Sequence, residues 1–492
     1  MLFGEIIMND AMISTKNISA NNMRNNVKIG LEIHVQLNTK TKLFCSCPVP
    51  KSGDVPNSKC CEICLGHPGS KPVLNREALK KALLLALALN CTISEEIIFS
   101  RKSYFYPDLA KNYQISQFEI PLGKNGYIQI NGKKINLRRV HIEEDPAALV
   151  HPETIATSSY VLIDYNRSGI PLCEIVTEPD IISPEEARLF MKKIITILDY
   201  LNIYDPNLVI KADANVSIKE SGYVRAEIKN ISSFKEIERA LNYEIQRHRD
   251  EIKEGKKIIQ ETRAWRYDSG KTILLRKKET EEDYGYIVDP DLCTYHVSAD
   301  MLKKLKDEIP EMPEERINKF VSKFKLAKDD AEVIANEKVL AEMLERAAEK
   351  VKPELAARWI RREVVRIANY HDMDLHKIPL TIEQLIELLD MVEKNKITDN
   401  TAKEILERLF ERSFSPAEYV KENNLGIIHD LGRLKDACRE TVDDNKKVVE
   451  DYLSGKEEAL NFLLGQVMKK TKGKANPKEI REMMLRLIKD NN

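Results

Sequence analysis

The sequence lacks the features that mark membrane proteins, secreted proteins and uniformly basic nucleic-acid-binding proteins. Its longest apolar stretch, ALLLALALN at residues 82–90, is far shorter than the ~20 residues that span a bilayer. The N-terminus has no charged and apolar regions of the kind that make a signal peptide. The 77 Lys and Arg residues almost balance 78 Asp and Glu residues, so any basic surface must be local. These absences predict a cytoplasmic protein.

The common nucleotide-binding motifs are also missing. The segment GYIQINGKK has the wrong glycine spacing for a P-loop and carries Lys134 where Ser or Thr would stand. No GxGxxG follows a predicted strand. If the chain binds ATP, its site must therefore be of another kind.

The chain of 492 residues is long enough for two to four domains of about 100–200 residues each. Strand-like alternation dominates residues 27–312, as in VKIGLEIHVQL and LVIKADANVSI, with a Ser-capped helix predicted at SPEEARLFMKKIITILDYLN. From residue 313 onward the patterns are helical, and DDAEVIANEKVLAEMLERAAEKV predicts one amphipathic helix. We predict an α+β fold with four parts: a disordered N-terminal extension at 1–26, a large mixed or antiparallel-sheet domain at 27–312, a helical linker domain at 313–420 and a helical tail at 421–492.

A cysteine-rich loop at residues 43–69 predicts a zinc site. Cys45, Cys47, Cys61 and Cys64 are spaced Cys-x-Cys and Cys-x-x-Cys, which allows four thiolates to surround one Zn²⁺. Two disulfides are the alternative, although the other cysteines are scattered and nothing indicates secretion. Four thiolates leave no open coordination position, so the zinc would be structural.

Acidic residues cluster in three predicted strands, GLEIHVQL, HIEEDP and IPLCEIVTEPD. Glu32 and His34 lie two residues apart in a strand and share a face. Together with Glu143, Glu144 and Glu174 they would suit a partly hydrated Mg²⁺ or Mn²⁺. Half-exposed strand acids paired with Lys or Arg are an alternative that the pattern leaves open. A two-carboxylate glycosidase fits poorly, because it needs neither a zinc-braced loop nor a helical tail.

The segment RKSYFYPDLAKNYQISQ is too polar and aromatic for a simple core, and we predict that it is a ligand-facing loop. Carboxylates that hold a metal, flanked by Lys and Arg, are the general arrangement for phosphoryl transfer.

Eight motifs in a fixed order resemble the B subunits of glutamine-dependent aspartyl/glutamyl-tRNA amidotransferases. They are GLEIHVQL, CLGHPG, RKSYFYPDLAKNYQISQ, HIEEDP, YNRSGIPLCEIVTEPDI, ADANVSI, EIKNISSF and QETRAW. The resemblance extends from Val27 to Lys489. One departure is YGYI, where Gly285 and Ile287 replace the Arg and Phe of many relatives, so the resemblance assigns no specific role to that loop.

The resemblance implies a catalytic cradle at 27–312 that uses ATP and Mg²⁺ to phosphorylate the side-chain carboxylate of mischarged Asp-tRNA(Asn), Glu-tRNA(Gln) or both. Ammonia from an amidase-type A subunit would then displace the phosphate, in a heterotrimer with a small C subunit. A non-catalytic tRNA-binding or assembly subunit is the alternative. The related archaeal Glu-specific subunit carries an inserted domain that this chain lacks.

The resemblance also assigns residues. It gives the catalytic site Glu32, His34, Glu143, Glu144 and Glu174, of which Glu32, His34, Glu144 and Glu174 would hold Mg²⁺. It places Lys102, Tyr104, Tyr106 and Gln114 in the pocket for the nucleotide or for the tRNA 3′ end. It places Asp213, Asn215, Glu227, Lys229 and Asn230 in a second wall of the catalytic cradle, and it assigns Arg263 to the same wall. A purely structural ion pair between Glu227 and Lys229 is an alternative that remains open.

The predicted tail contact with the tRNA backbone involves Lys469, Lys470, Lys472 and Lys474, which surround a helix break. His141 is expected to be a strand histidine that the backbone satisfies and not a ligand.

Overall fold

A computed structural model describes residues 26–152, 158–208, 210–276, 284–427, 431–471 and 473–490. The chain divides into two compact units, with a boundary between Met312 and Pro313. All of the predicted N-terminal extension except Asn26 lies outside the described residues. No helix in the described ranges is long and apolar enough to cross a membrane.

The first unit is built on β-structure. Its strands are β1 (Val27–Gln36), β2 (Thr92–Ile93), β3 (Glu96–Ile97), β4 (Ser100–Ser103), β5 (Tyr113–Ser116), β6 (Gly123–Ile130), β7 (Lys133–Glu144), β8 (Ala148–Val150), β9 (Leu162–Asp164), β10 (Pro171–Thr177), β11 (Lys211–Ile218), β12 (Ala226–Ile231), β13 (Glu261–Arg266), β14 (Lys271–Arg276), β15 (Gly285–Val288) and β16 (Tyr295–His296).

Nine of these strands form one sheet in the order β14-β13-β12-β11-β1-β10-β7-β6-β2. The pairs are antiparallel except β12 with β13, so the sheet is mixed, as predicted. β1 lies between β10 and β11 near the middle of the sheet. Its alternation of buried and half-buried residues gives the sheet one apolar and one polar face.

Helices cover the apolar face. They are α1 (Arg76–Ala88), α2 (Pro184–Leu201), α3 (Phe234–Lys253) and α4 (Ala299–Glu308). The side chain of Ser183 accepts a hydrogen bond from the Glu186 amide at the start of α2, which confirms the predicted cap. Ile33, Ile175 and Ile142 are among the strand residues that form the core with these helices. The polar face is therefore the one available for a site.

The second unit is helical. It contains α5 (Pro313–Ser322), α6 (Lys328–Ala335), α7 (Lys338–Ala347), α8 (Pro353–Trp359), a π-helical turn (Ile360–Val364), α9 (Val365–Tyr370), α10 (Ile382–Glu393), α11 (Asp399–Glu411), α12 (Pro416–Glu422), α13 (Leu431–Asp444), α14 (Lys446–Leu453), α15 (Glu458–Lys470) and α16 (Pro477–Asp490). The segment predicted as one long helix is broken at Asn336 and Glu337 into α6 and α7. One hydrophobic core spans Phe320 to Phe410 and a separate one spans Leu434 to Ile488. The predicted α+β fold class is confirmed.

Candidate functional site

A row of polar residues crosses three central strands on the polar face of the sheet. His34 of β1 pairs in register with Glu174 of β10, which pairs with His141 of β7. Directly paired residues of antiparallel strands point to the same face. Glu143 lies two residues beyond His141 and shares that face. Strand register thus brings together four residues that are up to about 140 positions apart in sequence.

The four side chains form an acid–histidine cluster, by which we mean His34, His141, Glu143 and Glu174. His34 Nε2 lies 3.5 Å from a Glu174 oxygen and 3.9 Å from a Glu143 oxygen. His141 Nε2 lies 3.3 Å and 3.4 Å from oxygens of the same two carboxylates. Ser116 donates a 3.0 Å hydrogen bond to Glu143 from β5. His141, Glu143 and Glu174 are buried, and His34 is half-buried.

Charge within the cluster controls its protonation. Burial lowers the pKa of His34, but the hydrogen bond to Glu174 and the charges of Glu174 and Glu143 outweigh burial and raise the pKa to about 9. Burial also lowers the pKa of His141, but the charges of Glu174 and Glu143 and their hydrogen bonds outweigh it and raise the pKa to about 9. The histidines in turn overcome the effect of burial on Glu174 and hold its pKa well below the usual range. Two imidazolium groups therefore neutralise two carboxylates at neutral pH.

His141 corrects one expectation from the sequence. We expected its ring to be satisfied by the backbone, but Nε2 faces the two carboxylates and buried Nδ1 has no hydrogen-bond partner. The signal that reveals it is register: His141 stands opposite Glu174, which stands opposite His34.

Glu144 does not join the cluster. Its carboxylate pairs with Lys111 and accepts a 2.9 Å hydrogen bond from the Ile115 amide. Neighbouring residues of a strand point to opposite sides, so Glu143 reaches the cluster and Glu144 turns away from it. Glu143, and not Glu144, therefore lies beside His34 and Glu174.

A second polar group continues along the same face toward β12. Glu32 stands opposite Asp213 in the β1–β11 register and accepts a 3.0 Å hydrogen bond from Asn215. Lys229 Nζ lies 3.0 Å from Glu227 and 3.4 Å from Asp213. Burial, followed by the charges of Glu174, Glu227 and Asp213, raises the pKa of Glu32. The predicted alternative pairing of Glu227 with Lys229 is present.

Of two further assigned residues, Asn230 contacts this wall through its backbone and Arg263 does not contact it. Asn230 has φ +65° and donates its amide to Asp213 at 3.2 Å, where the β11–β12 register shifts. This left-handed conformation suits asparagine. Arg263 lies farther off and bonds Thr272 through its Nε at 2.7 Å.

The polar face fits a divalent cation. One ligand atom from each of His34, Glu143 and Glu174 lies within 4.8 Å of the others. The buried Oδ1 of Asn215 beside Glu32 has no hydrogen-bond partner, which leaves an oxygen ready to accept from an ion-bound water. Carboxylates with one imidazole and such a partner suit Mg²⁺ or Mn²⁺.

The predicted ligand-facing segment consists of β4, an irregular loop at 104–112 and β5. Lys102 Nζ lies 4.7 Å from the ring centre of Tyr284, and Tyr104 packs edge-to-face against Tyr284. Tyr106 is exposed. Gln114 instead donates its amide to the Glu144 carbonyl at 2.7 Å, so it braces β7.

The last three residues of YGYI belong to β15, in which Gly285 and Ile287 pair with Ser103 and Arg101 of β4. The tyrosine before Gly285 therefore joins the aromatic group beside Lys102, which the sequence analysis did not predict.

The four predicted zinc ligands come together in the loop. One sulfur from each of Cys45, Cys47, Cys61 and Cys64 lies within 4.8 Å of the others, and none is in a disulfide. The Cys61 amide donates to Cys64 Sγ at 3.1 Å, as is usual where a thiolate is held. This donor set fits a tetrahedral zinc ion.

A third group of metal-ligand type, Glu244, His248 and Glu261, is buried between α3 and β13. Arg247 pairs with both glutamates, and Arg263 Nη1 lies 3.3 Å from Glu261. Two guanidinium groups already balance the two carboxylates, so we interpret this group as a structural ion-pair network.

The tail lysines differ from one another. Lys470 pairs with Glu440 at 3.4 Å and Asp444 at 2.8 Å. Lys469 is exposed and Lys474 is half-buried, and neither pairs with an acid of the described chain. Lys472 lies outside the described residues.

Comparison with known proteins identifies the class of this chain. Residues 27–303 match the family described as GatB/GatE catalytic domain, and residues 338–488 match the GatB domain. The β-unit and its polar face are therefore a GatB/GatE-type catalytic domain.

Similar curated proteins are each named as the B subunit of an aspartyl/glutamyl-tRNA(Asn/Gln) amidotransferase. The chain is 43% identical to the one from Thermodesulfovibrio yellowstonii, with 94% of the chain and 99% of the relative covered. It is 42% identical to that of Carboxydothermus hydrogenoformans (93% and 97% covered) and 43% identical to that of Saccharolobus solfataricus (94% and 98% covered). The chain belongs to the family of these B subunits, which confirms the resemblance drawn from its motifs.

Proposed function

We propose that this chain is the subunit of a tRNA-dependent amidotransferase that activates the side-chain carboxylate of mischarged Asp-tRNA(Asn), Glu-tRNA(Gln) or both. In the first step, the carboxylate oxygen attacks the γ-phosphorus of ATP, and ADP leaves. In the second step, ammonia attacks the acyl carbon and phosphate leaves, which gives the amide. The observation that carries this proposal is the acid–histidine cluster on the open face of the sheet.

Activation is needed because a carboxylate is a poor electrophile until one oxygen becomes part of a good leaving group. Negative charge builds up as a carboxylate meets a triphosphate, and a catalyst must offset it. We propose His34, Glu143, Glu174 and Glu32 as the holders of Mg²⁺. When bound, the ion supplies charge neutralisation and orientation for phosphoryl transfer.

The remaining assigned residues support binding and orientation. Lys229, fixed between Asp213 and Glu227, offers a positive charge at one end of the polar face. Lys102 beside Tyr104 and Tyr284 offers a cation and aromatic rings for a nucleotide or the tRNA 3′ end. Glu144 is proposed to act through Lys111, because Lys111 occupies its carboxylate.

We propose a structural Zn²⁺ in the cysteine loop. We also propose an amidase-type A subunit as the ammonia source, a small C subunit that completes a heterotrimer, and a tRNA partner contacted by the tail.

The test is ATP hydrolysis by the reconstituted three-subunit complex with Mg²⁺, comparing Glu-tRNA, Asp-tRNA and uncharged tRNA. We expect ATP turnover that depends on one or both aminoacyl-tRNAs, which would also name the substrate. Binding of aminoacyl-tRNA without any ATP turnover would reject the catalytic role and favour a tRNA-binding or assembly subunit. A Glu174→Gln complex is the matched control for contaminating ATPase.

A further inference from the structure

Two cations on the polar face of the sheet have no acidic partner among the described residues. Arg139 of β7 is half-buried and lies two residues before His141, so its side chain is on the same face as the acid–histidine cluster. The Nε of Arg139 is buried and has no hydrogen-bond partner. Lys124 of β6 is exposed and stands directly opposite Arg139 in the antiparallel register. We call Arg139 and Lys124 the cation pair.

The strand register fixes where the cation pair lies. Arg139 is paired with Val176 of β10, and Val176 is paired with Glu32 of β1. The row that crosses the polar face at Glu32 therefore ends at Lys124. At about 3.4 Å per residue, Arg139 is about 7 Å along β7 from His141. The β7–β10 register shifts immediately after Val176, and such bulges re-aim side chains and are common next to active sites.

The neighbouring arginine in the sequence is bound differently. Arg138 donates from Nε and Nη2 to the two carboxylate oxygens of Glu178, at 3.1 Å each. Arg139 and Lys124 form no ion pair with an acid in the part of the chain that the structure describes. Like charges directly opposite each other on adjacent strands are destabilising, and a buried donor without a partner is also costly. The protein thus keeps an unfavourable arrangement that a bound anion would relieve.

The chemistry of the cation pair suits an oxoanion. A guanidinium group can donate two parallel hydrogen bonds to the oxygens of a phosphate or a carboxylate, and an ammonium group adds a second positive charge. An anion with more than one negative charge would balance both groups. A phosphate of a nucleotide therefore fits the pair better than a single carboxylate does.

We propose that the cation pair binds phosphate oxygens on the β6–β7 side of the polar face, with Arg139 as the main contact. This inference rests on the proposed phosphoryl-transfer function and adds a positive site across the face from Lys229 of β12. Two sources of such oxygens take part in the proposed reaction: the triphosphate of ATP and the phosphodiester backbone at the tRNA 3′ end. The two positive charges favour the triphosphate, which carries more negative charge.

The test uses the reconstituted three-subunit complex and the substitution Arg139→Met, which keeps a long side chain but removes its charge. Binding of inorganic tripolyphosphate is measured by calorimetry with no Mg²⁺ added, so that the metal site does not contribute. We expect the dissociation constant to rise about 10- to 100-fold, as when hydrogen bonds to a charged group are lost. Arg138→Met is the matched control, and it should bind tripolyphosphate as the parent does.

Two further measurements identify the source of the phosphate. The first is the KM for ATP in hydrolysis that depends on aminoacyl-tRNA, and the second is the affinity for aminoacyl-tRNA without ATP. If the pair binds the triphosphate, Arg139→Met raises the KM for ATP about 10- to 100-fold and leaves tRNA affinity unchanged. If it binds the tRNA backbone, the loss falls on tRNA affinity. Arg139→Lys should lose less than Arg139→Met, because it keeps the charge but not the paired donors.

Thermal unfolding separates binding from a structural role. Arg139→Met removes one of two like charges, so the variant without ligand should be at least as stable as the parent. Tripolyphosphate should raise the Tm of the parent and raise that of Arg139→Met much less, since a ligand stabilises the state that binds it. An arginine that only supported the fold would lower the Tm when removed and leave the shift with tripolyphosphate unchanged.

The outcomes distinguish this inference from the proposed function. Unchanged affinities of Arg139→Met for tripolyphosphate, ATP and tRNA would overturn the inference, whereas ATP turnover by the parent would still support the proposed function. Equal losses in Arg138→Met and Arg139→Met would also overturn it, because they would reflect the general charge of β7. A parent complex that binds tripolyphosphate through Arg139 but does not turn over ATP would reject the proposed function and support the phosphate site.

Discussion

Glu143 and Glu144 are neighbours in sequence, yet the structure gives them different partners. Glu143 faces His34 and His141, whereas Glu144 is neutralised by Lys111. A carboxylate already paired with a lysine offers little to a cation. Of the two adjacent glutamates in the HIEEDP motif, only Glu143 therefore belongs to the proposed metal site.

The prediction from this difference concerns Mg²⁺ affinity. Glu143→Gln should weaken Mg²⁺ or Mn²⁺ binding by about tenfold or more, since it removes a charged ligand. Glu144→Gln is the matched control and should change this affinity by less than about threefold, because its carboxylate points to Lys111. Titration of the metal by calorimetry, or by the Mn²⁺ spin-resonance signal, measures both. Equal losses in the two variants would place Glu144 in the metal site.

Protonation of His34 predicts how Mg²⁺ binding varies with pH. The pKa of His34 in the metal-free protein is raised to about 9, mainly because the attraction of Glu174 outweighs burial. The ring is therefore protonated at pH 7, and a metal must displace that proton. Apparent Mg²⁺ affinity should rise between pH 7 and 9 by up to about tenfold per pH unit for one released proton, and level off above that range.

The control for this pH dependence is His34→Gln, which has no ring proton to displace. Its Mg²⁺ affinity should be lower and should rise less steeply with pH over the same range, because His141, whose pKa is also raised to about 9, still holds a proton beside Glu143 and Glu174. A parent protein whose affinity is flat from pH 7 to 9 would contradict a ligand role for His34.

At the scale of elements, the buried network between α3 and the sheet edge joins a helix to two strands. Glu244 is fully buried, pairs with Arg247 and accepts a 2.8 Å hydrogen bond from Thr272 of β14. Removing one partner of a buried ion pair leaves an uncompensated charge. The network should therefore contribute stability and no chemistry.

Glu244→Gln should lower the free energy of unfolding by about 3–5 kcal/mol, the cost of breaking a buried ion pair. Denaturant unfolding followed by the fluorescence of Trp265, which packs near Tyr243 of α3, reports on this region. Added Zn²⁺ should stabilise neither parent nor variant at this position. A parent-specific stabilisation that requires Glu244 would show that the group binds metal after all.

Strand elements were predictable from the sequence to a useful degree, whereas their partners were not. Alternation in VKIGLEIHVQL and the Ser cap before Pro184 were enough to place β1 and α2, because both are local signals. The role of His141 depends on pairing with β10, which is about 30 residues away. Likewise, the break between α6 and α7 falls in a sequence whose periodicity continues through it. Tertiary contacts decide these features, and one sequence does not encode them locally.

At the scale of the whole molecule, the helical unit contains two separate cores. Leu425 packs on the first core, and the second begins at Leu434. The predicted boundary at residue 421 would thus cut into the first core, so a truncation should begin near residue 431.

Thr398 Oγ1 donates to the Gly473 carbonyl at 2.9 Å and ties the lysine-bearing break to the start of α11. Deleting 431–492 should weaken tRNA binding and leave zinc content and Mg²⁺ affinity unchanged, which metal analysis and filter binding can check together.

The lysines at that break should not contribute equally to tRNA binding. Lys469 and Lys474 have no acidic partner in the described chain, whereas Lys470 is held by Glu440 and Asp444. Each cation that neutralises a phosphate releases counterions, so its loss lowers the slope of log affinity against log salt by about 1. Lys469→Ala with Lys474→Ala should therefore reduce the slope by about 2 and weaken binding of every tRNA sequence alike. Lys470→Ala should change the slope by less than about 1, because the charge of Lys470 is already balanced within the tail. A larger loss of slope in Lys470→Ala than in the double variant would show that the tail exchanges its internal ion pairs for phosphate contacts on binding.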